Sequence, residues 1–295
     1  MHIIITVDTE ADDQWRKDAP PTIENVFALD RFQNLCERYG MPATYLLTFE
    51  VASDVCAAEQ FRAWREKGAE IGAHLHPWTT PPITKGEGAT RTFPSQLDDA
   101  ALRAKFETLT DKVSEITGEH PTSYRAGRWG FDTRQSELLK EHNYLIDLSI
   151  TPGISWKKGE EPDESGPDFT HESVAPHMLN DAVLEVPMTI LYAGLLHRLR
   201  WLRIFENTTP GNLRSVLRAA RRLDLPVVVF MIHSSELVAG KSPYVKTPEA
   251  LECVYRNIEA LFNTCMKENI SGITASDFAL FFRASGVEPK PFVTL

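Results

Sequence analysis

The chain has 295 residues, 42% of them hydrophobic, enough to bury a large core in one big α/β domain or two small ones. Its formal net charge of −10, from 31 Lys and Arg against 41 Asp and Glu, argues against a large basic surface of the kind that binds nucleic-acid phosphates. Cys36, Cys56, Cys253 and Cys265 lie far apart with no CxxC pair, which excludes a disulfide-stapled scaffold and points to reduced, mostly buried thiols.

The first element is an apolar run over 3–7 inside "MHIIITVDTE". It turns charged too soon for a signal-peptide core or a membrane span, so it reads as a buried strand, with no membrane insertion and the cytoplasm as the expected compartment. A helix is predicted over 24–39, a strand over 43–49, a helix over 53–66 and a strand over 70–74. Helices over 96–117 and 132–142 flank a short extended segment that leads to Arg125. The stretch 153–181 is too long and polar for a simple connection and is expected to cover an active-site mouth, a surface insertion without a role being the alternative. After a strand over 183–187, "LLHRLRWLRIF" at 195–205 mixes apolar and basic residues as a helix snorkelling its arginines over a core would; an anion- or membrane-binding role is the alternative. A helix over 210–223, a strand over 227–232, a helix over 248–268, a short run around Ile273 and a helix over 275–283 complete the chain.

Several of these helices open on Ser, Thr, Asp or Pro start signals. The alternation is that of parallel strands covered by crossover helices, with about seven strand candidates, no internal repeat and no long linker. A single domain over 1–295 fits best, and composition alone leaves a barrel and an open doubly wound sheet both possible. Either one places its chemistry at the C-terminal ends of the strands.

Those ends are where the reactive residue types fall. "TVDTE" puts Asp8 and Glu10 on one face of an extended chain, and "EIGAHLHPWTTPP" does the same for His74 and His76. Two imidazoles and a carboxylate suit a catalytic zinc with an open position, although an HxH pair taken alone is more often a structural feature of a loop. "VVVFMIHSSEL" delivers His233 straight out of a third apolar strand, and "YRAGRWGFD" offers Arg125 as the partner of a carboxylate or, equally, of a helix C-terminus.

Taken in order, these segments resemble the polysaccharide deacetylase family of metal-dependent carbohydrate esterases. "TVDTE" looks like its paired-acid motif, "EIGAHLH" like its histidine motif and "YRAGRWG" like its arginine loop. "IDLSITPGISW" is similar to its aspartate and tryptophan motif, and "FMIHSSEL" to its second histidine motif; together they cover about residues 3–240. The resemblance implies a distorted (β/α) barrel of about seven parallel strands and a divalent metal, zinc being the expected one. It implies Asp8 as catalytic base, Glu10, His74 and His76 as metal ligands, Arg125 as partner of the base and His233 as general acid. Trp78, Arg128, Trp129, Asp147 and Trp156 become candidate substrate contacts.

The chain departs from the family pattern in three places. Trp78 stands four residues after His74 where the usual second histidine would be, Glu10 replaces an aspartate, and Ser155 precedes Trp156 where many members carry an acid. The implied activity is hydrolytic removal of an acetyl group from a saccharide. Two alternatives are a hydrolase of the same fold acting on a small amide or imide, and an inactive relative that binds saccharide through Trp78, Trp129 and Trp156.

Overall fold

The computed structural model describes residues 1–14, 21–85, 87, 91–157, 165–286 and 293–294. In chain order its strands are β1 (His2–Thr9), β2 (Ala43–Leu47), β3 (Glu70–Leu75), β4 (Ser123–Ala126), β5 (Ile146–Asp147), β6 (His177–Met178), β7 (Leu184–Glu185), β8 (Ile190–Ala193), β9 (Arg198–Trp201), β10 (Val227–His233) and β11 (Ser271–Gly272). The helices are α1 (Asp30–Tyr39), α2 (Phe49–Ala52), α3 (Val55–Arg65), α4 (Asp99–Thr117), α5 (Thr133–Glu141), α6 (Pro210–Arg222), α7 (Pro248–Lys267) and α8 (Ala275–Ala284).

Among the described residues seven strands form one curled parallel sheet in the order β10, β1, β2, β3, β4, β5, β7, with β6 antiparallel at the far edge and β11 beside the start of β1. The sheet curls until Arg203 bridges to Met231 of β10 and Thr189 Oγ1 accepts from the Val229 N–H at 2.8 Å. The segments flanking the β8–β9 hairpin therefore stand where a further barrel strand would be. This is the distorted (β/α) barrel that the motif order implied. β2 is buried along its whole length, and β1 and β10 along nearly all of theirs, because helices cover the outer face and side chains fill the inner one.

The helix starts fall where the start signals stand. Asp54, Asp98, Asp132, Thr209, Thr247 and Thr274 each cap a helix by accepting a backbone N–H from its first turn, and Pro210 and Pro248 occupy the first position of theirs. Some boundaries differ from the sequence reading. The 24–39 segment splits into a 3-10 turn (Val26–Ala28) and α1, and the second strand stops at Leu47 because Thr48 turns the chain into α2. Of the four free thiols, Cys36 and Cys265 are buried, Cys253 is half-buried and Cys56 is exposed.

The largest correction concerns 195–205. Its middle is not a helix but the second strand of an antiparallel hairpin, β8 pairing Ala193 with Arg198 and Ile190 with Trp201. Gly194 at φ 79° and His197 at φ 45° make the turn, and from Arg198 onward polar and apolar residues alternate with the period of a strand.

One buried cation shapes the loop after β3. Lys105 of α4 is fully buried, and its ammonium donates to the carbonyls of Pro77 at 2.9 Å, Thr80 at 2.7 Å and Pro82 at 2.6 Å and to Glu87 Oε2 at 2.8 Å. Backbone carbonyls of an irregular loop have no strand to pair with, and the ammonium satisfies them while Glu87 balances its charge.

Candidate metal centre and active site

The strand register assembles the site. Asp8 at the end of β1 lies beside His233 at the end of β10, and His74 on β3 lies beside Arg125 on β4. Asp8, Glu10, His74, His76, Arg125 and His233 thus meet at one end of the barrel; all but His233 are buried.

The two histidines are oriented through their outer nitrogens. Nδ1 of His74 donates to the Arg125 carbonyl at 3.0 Å, and Nδ1 of His76 donates to Gln14 Oε1 at 2.8 Å. Gln14 is turned this way because its own amide group donates to Glu50 at 3.1 Å. Both rings then present bare Nε2 lone pairs to the interior, and these two atoms are only 3.0 Å apart. Facing lone pairs repel unless a proton or a metal ion lies between them. Glu10 Oε2 is 3.7 Å from the His76 Nε2, and the ligand atoms of Glu10, His74 and His76 all lie within 4.8 Å of one another. Two neutral imidazoles and one carboxylate on a common side, with outer hydrogen bonds holding the tautomers, form a donor set that fits a divalent ion such as zinc.

Gly127, where β4 ends, makes this packing possible. A Cβ there would overlap the His76 ring and the Leu75 carbonyl oxygen. The next two residues, Arg128 and Trp129, both take the left-handed backbone conformation, at φ 53° and 64°, a strained arrangement for residues with bulky side chains. Trp78, by contrast, stacks on His76 with ring centroids 4.3 Å apart and does not line the cavity.

Charge placement separates the two acids of β1. Burial alone would raise the Asp8 pKa, but Arg125, His74 and His233 outweigh it and hold the carboxyl below its usual range. Arg125 Nη1 donates to Asp8 Oδ1 at 2.5 Å and its Nη2 to Thr6 Oγ1 at 3.0 Å, while Asp8 Oδ2 faces His74 Nε2 at 3.8 Å. Glu10 goes the other way. Burial, then the nearby charges of Asp8, Glu50 and Glu236, push its pKa up to about 8 against the opposing pull of His233. Burial lowers both His74 and His76, so the imidazoles stand in the neutral form that binds metal.

On the neighbouring strand β10, burial alone would lower the His233 pKa, yet Glu10 and Glu236 overcome it and raise the group above its ordinary value. His233 Nδ1 lies 3.1 Å from Glu236 Oε2 and 2.9 Å from Arg203 Nη2, and Arg203 also reaches Glu236 Oε1 at 3.1 Å. His233 Nε2 is left pointing toward Glu10, 4.0 Å away.

A cavity of about 190 Å³ lies over these groups, walled by Arg128, Trp129, Trp156, Arg203 and Tyr244. Trp156 comes from the irregular 153–181 stretch, of which 158–164 lie outside the described residues. Asp147 is not brought to this cavity. It is fully buried, its carboxylate accepts from Ser149 Oγ at 2.6 Å, and Ser149 Oγ in turn accepts from the Ala126 N–H at 2.8 Å, so it supports β4 from behind. Four site residues escaped the sequence reading: Gln14, Arg203, Glu236 and Tyr244. Glu236 carried a signal, standing three places after a histidine at a strand exit and accepting from the His233 N–H at 3.0 Å as a capping carboxylate does. Gln14, Arg203 and Tyr244 meet the others only through tertiary packing.

No family model matches the chain. A 158-residue stretch is 27% identical to the peptidoglycan deacetylase of Helicobacter pylori, covering 48% of this chain and 48% of that protein, so the match spans about half of the curated relative's length. The whole chain superposes on the crystal structure of a Mycobacterium smegmatis protein assigned as a polysaccharide deacetylase, with TM-score 0.60 and 16% identity over 100% of this chain and 94% of the other. The chain has the polysaccharide deacetylase fold. The Puue allantoinase shares that fold, with TM-score 0.60 and 14% identity over 97% of this chain and 91% of the other. Within the polysaccharide deacetylase fold, four strand ends and the irregular 153–181 stretch bring residues of the five motif segments into one cavity, and the departures noted above become concrete. His76 turns inward beside His74 although only Leu75 separates them, and Glu236 stands against His233 where no acid precedes Trp156.

Proposed function

We propose that this chain is a metal-dependent hydrolase that removes an N-acetyl or O-acetyl group from a saccharide. The observation that carries this reading is the pair of His74 and His76 Nε2 atoms 3.0 Å apart beside Glu10, an arrangement that a divalent ion would satisfy. The part-length likeness to a peptidoglycan deacetylase supports the acyl-transfer chemistry.

Glu10, His74 and His76 would hold a divalent ion, which would supply Lewis acidity toward a carbonyl and toward water. Asp8 then acts as general base through Oδ2, because Arg125 occupies Oδ1 and fixes the plane of the carboxylate. Its depressed pKa keeps it ionised, and the same ion pair stops it from turning away from the cavity. His233 at the end of β10 stands in its protonated form, steadied by Glu236, and its Nε2 donates the proton that the departing amine or alcohol needs. Trp129 and Trp156 offer aromatic faces to a sugar ring, and Arg128 and Tyr244 close the walls.

Zinc content and acetate release from N-acetylglucosamine and its short oligomers test the reading together. Stoichiometric zinc with turnover that Asp8→Asn abolishes supports it; a protein that takes up no divalent ion after dialysis against zinc overturns it.

A second reading is favoured by cavity size. About 190 Å³ is smaller than the roughly 300–1,000 Å³ typical of ligand pockets, which suits one acyl-bearing unit or a small amide better than a polymer strand. A neighbour of the same fold is an allantoinase. Turnover of small cyclic amides with none on acetylated sugars would decide for this alternative.

A further inference from the structure

Residues 186–223 hold seven arginines and a single acid, Glu206, in a chain whose net charge is −10. Such asymmetry marks a face with its own partner. The structure makes this segment one unit, since α6 packs against both β8 and β9. Arg214 and Arg218, one turn apart, stand on the exposed side of α6, and Arg198 is exposed on β9. Arg203 and Arg221 hold Glu236 and Glu268, whereas among the described residues Arg198, Arg214 and Arg218 enter no ion pair.

The hairpin adds a second, apolar feature. Its tip presents Leu195 at 103% and Leu196 at 69% exposure, and Tyr192 behind them is 43% exposed and stacked on His197. On the same face of the hairpin follow Leu199, opposite Tyr192, and Trp201, whose ring lies 6.0 Å from Trp129. The result is a ridge that begins with two bare leucines, passes through Tyr and Trp, and ends at a wall of the catalytic cavity; Arg198, paired with Ala193, lies on the other face of the hairpin, where Ser215 of α6 approaches Gly194, so the arginines border the leucine tip and not the aromatic face.

We propose that the β8–β9 hairpin and the exposed side of α6 dock on a membrane surface of anionic lipids. The arginines match anionic headgroups, and the leucines match the boundary between headgroups and acyl chains, where Tyr and Trp are also at home. A soluble polyanion would use the arginines but would leave Leu195 and Leu196 in water. The chain lies on the membrane rather than across it: no helix among the described residues is long and apolar enough to span one. The surface stands apart from the hydrolytic reading, because neither leucine nor the three unpaired arginines line the catalytic cavity.

The test is co-flotation of the full chain with vesicles of phosphatidylcholine alone and of phosphatidylcholine with phosphatidylglycerol, at low and high salt. The expected result is binding to the anionic vesicles only, weakened by salt. Arg214→Glu and Arg218→Glu should each weaken partitioning by roughly fivefold or more. Leu195→Asp with Leu196→Asp should weaken it by roughly tenfold or more while leaving the melting temperature and zinc content unchanged. Absence of binding to anionic vesicles at low salt overturns the proposal. So does undiminished binding by the leucine variant, or a preference for dextran sulfate over vesicles, either of which would make the surface a site for a soluble polyanion.

Discussion

The two walls of the cavity are built differently. The wall of Asp8, Glu10, His74 and His76 comes from the exits of two parallel strands separated by one other, is buried throughout, and has both histidines and Asp8 held by outer hydrogen bonds. The wall of His233 is assembled from a strand end, an arginine beyond the hairpin and a tryptophan from an irregular stretch, and the His233 side chain keeps 22% of its surface exposed. Metal ligands must be held to within a fraction of an ångström, which strands do well, whereas groups that meet substrates can vary with the loops. The comparison predicts a graded response to mutation.

The largest effect should come from the strand wall. His76→Ala should lower zinc affinity by more than roughly 100-fold, beyond what loss of an outer hydrogen bond costs, and take turnover to background, as elemental analysis and the acetate assay would show. Metal binding should also expel a proton at pH 7, because Glu10 titrates at about 8 without the ion and must ionise to bind; calorimetry in buffers of different ionisation enthalpy reads this, and the release should fade as pH rises above about 8.

Next comes Asp8→Asn, expected to keep its zinc and lose roughly 10²–10⁴-fold in kcat. An Asp8→Asn protein without zinc would blur the distinction between ligand and base on this wall.

On the other wall, Glu236→Gln should cost less activity and change its pH profile. Glu236 raises the His233 pKa, so its neutralisation lowers it, and the fall of kcat/KM on the alkaline side should begin at lower pH than in the wild type. The same carboxylate makes stability depend on pH. Burial opposes ionisation of Glu236, but Arg203 and His233 hold its pKa to about 2 from 4.5, worth roughly 3 kcal/mol at neutral pH. That contribution is present above about pH 4.5 and fades as pH falls toward 2, so urea midpoints of variant and wild type should converge in acid. The smallest effect should be that of Trp156→Ala, a rise in KM of roughly tenfold with kcat and zinc content little changed, since it removes a stacking face alone.

The same contrast explains what could be read in advance. Asp8, His74, Arg125 and His233 were legible because an ionisable residue ending an apolar run has one destination, the C-terminal mouth of a parallel sheet. Arg203 was not, because its approach to His233 depends on how the hairpin folds back, and Tyr244 was not, because it comes from the irregular segment between β10 and α7; no local pattern records either. The 195–205 stretch misled because its apolar residues fit either a helix or a strand, and only the left-handed turn at Gly194 and His197 selects the latter. Asp147 failed for another reason: its strand is short, and its buried carboxylate accepts from Ser149 Oγ instead of reaching the cavity.

Lys105 has a consequence for transplanting this site. The histidine pair depends on an irregular loop whose carbonyls converge on one ammonium from a distant helix, and that ammonium depends on Glu87. A graft of "HLHPWTTPP" onto another barrel would carry the ligands but leave three carbonyls pointing into a dry interior. The minimal portable unit is discontinuous, the loop together with a lysine on the following helix, and a designer who copies only the ligand segment will obtain a barrel that strains against its own metal site.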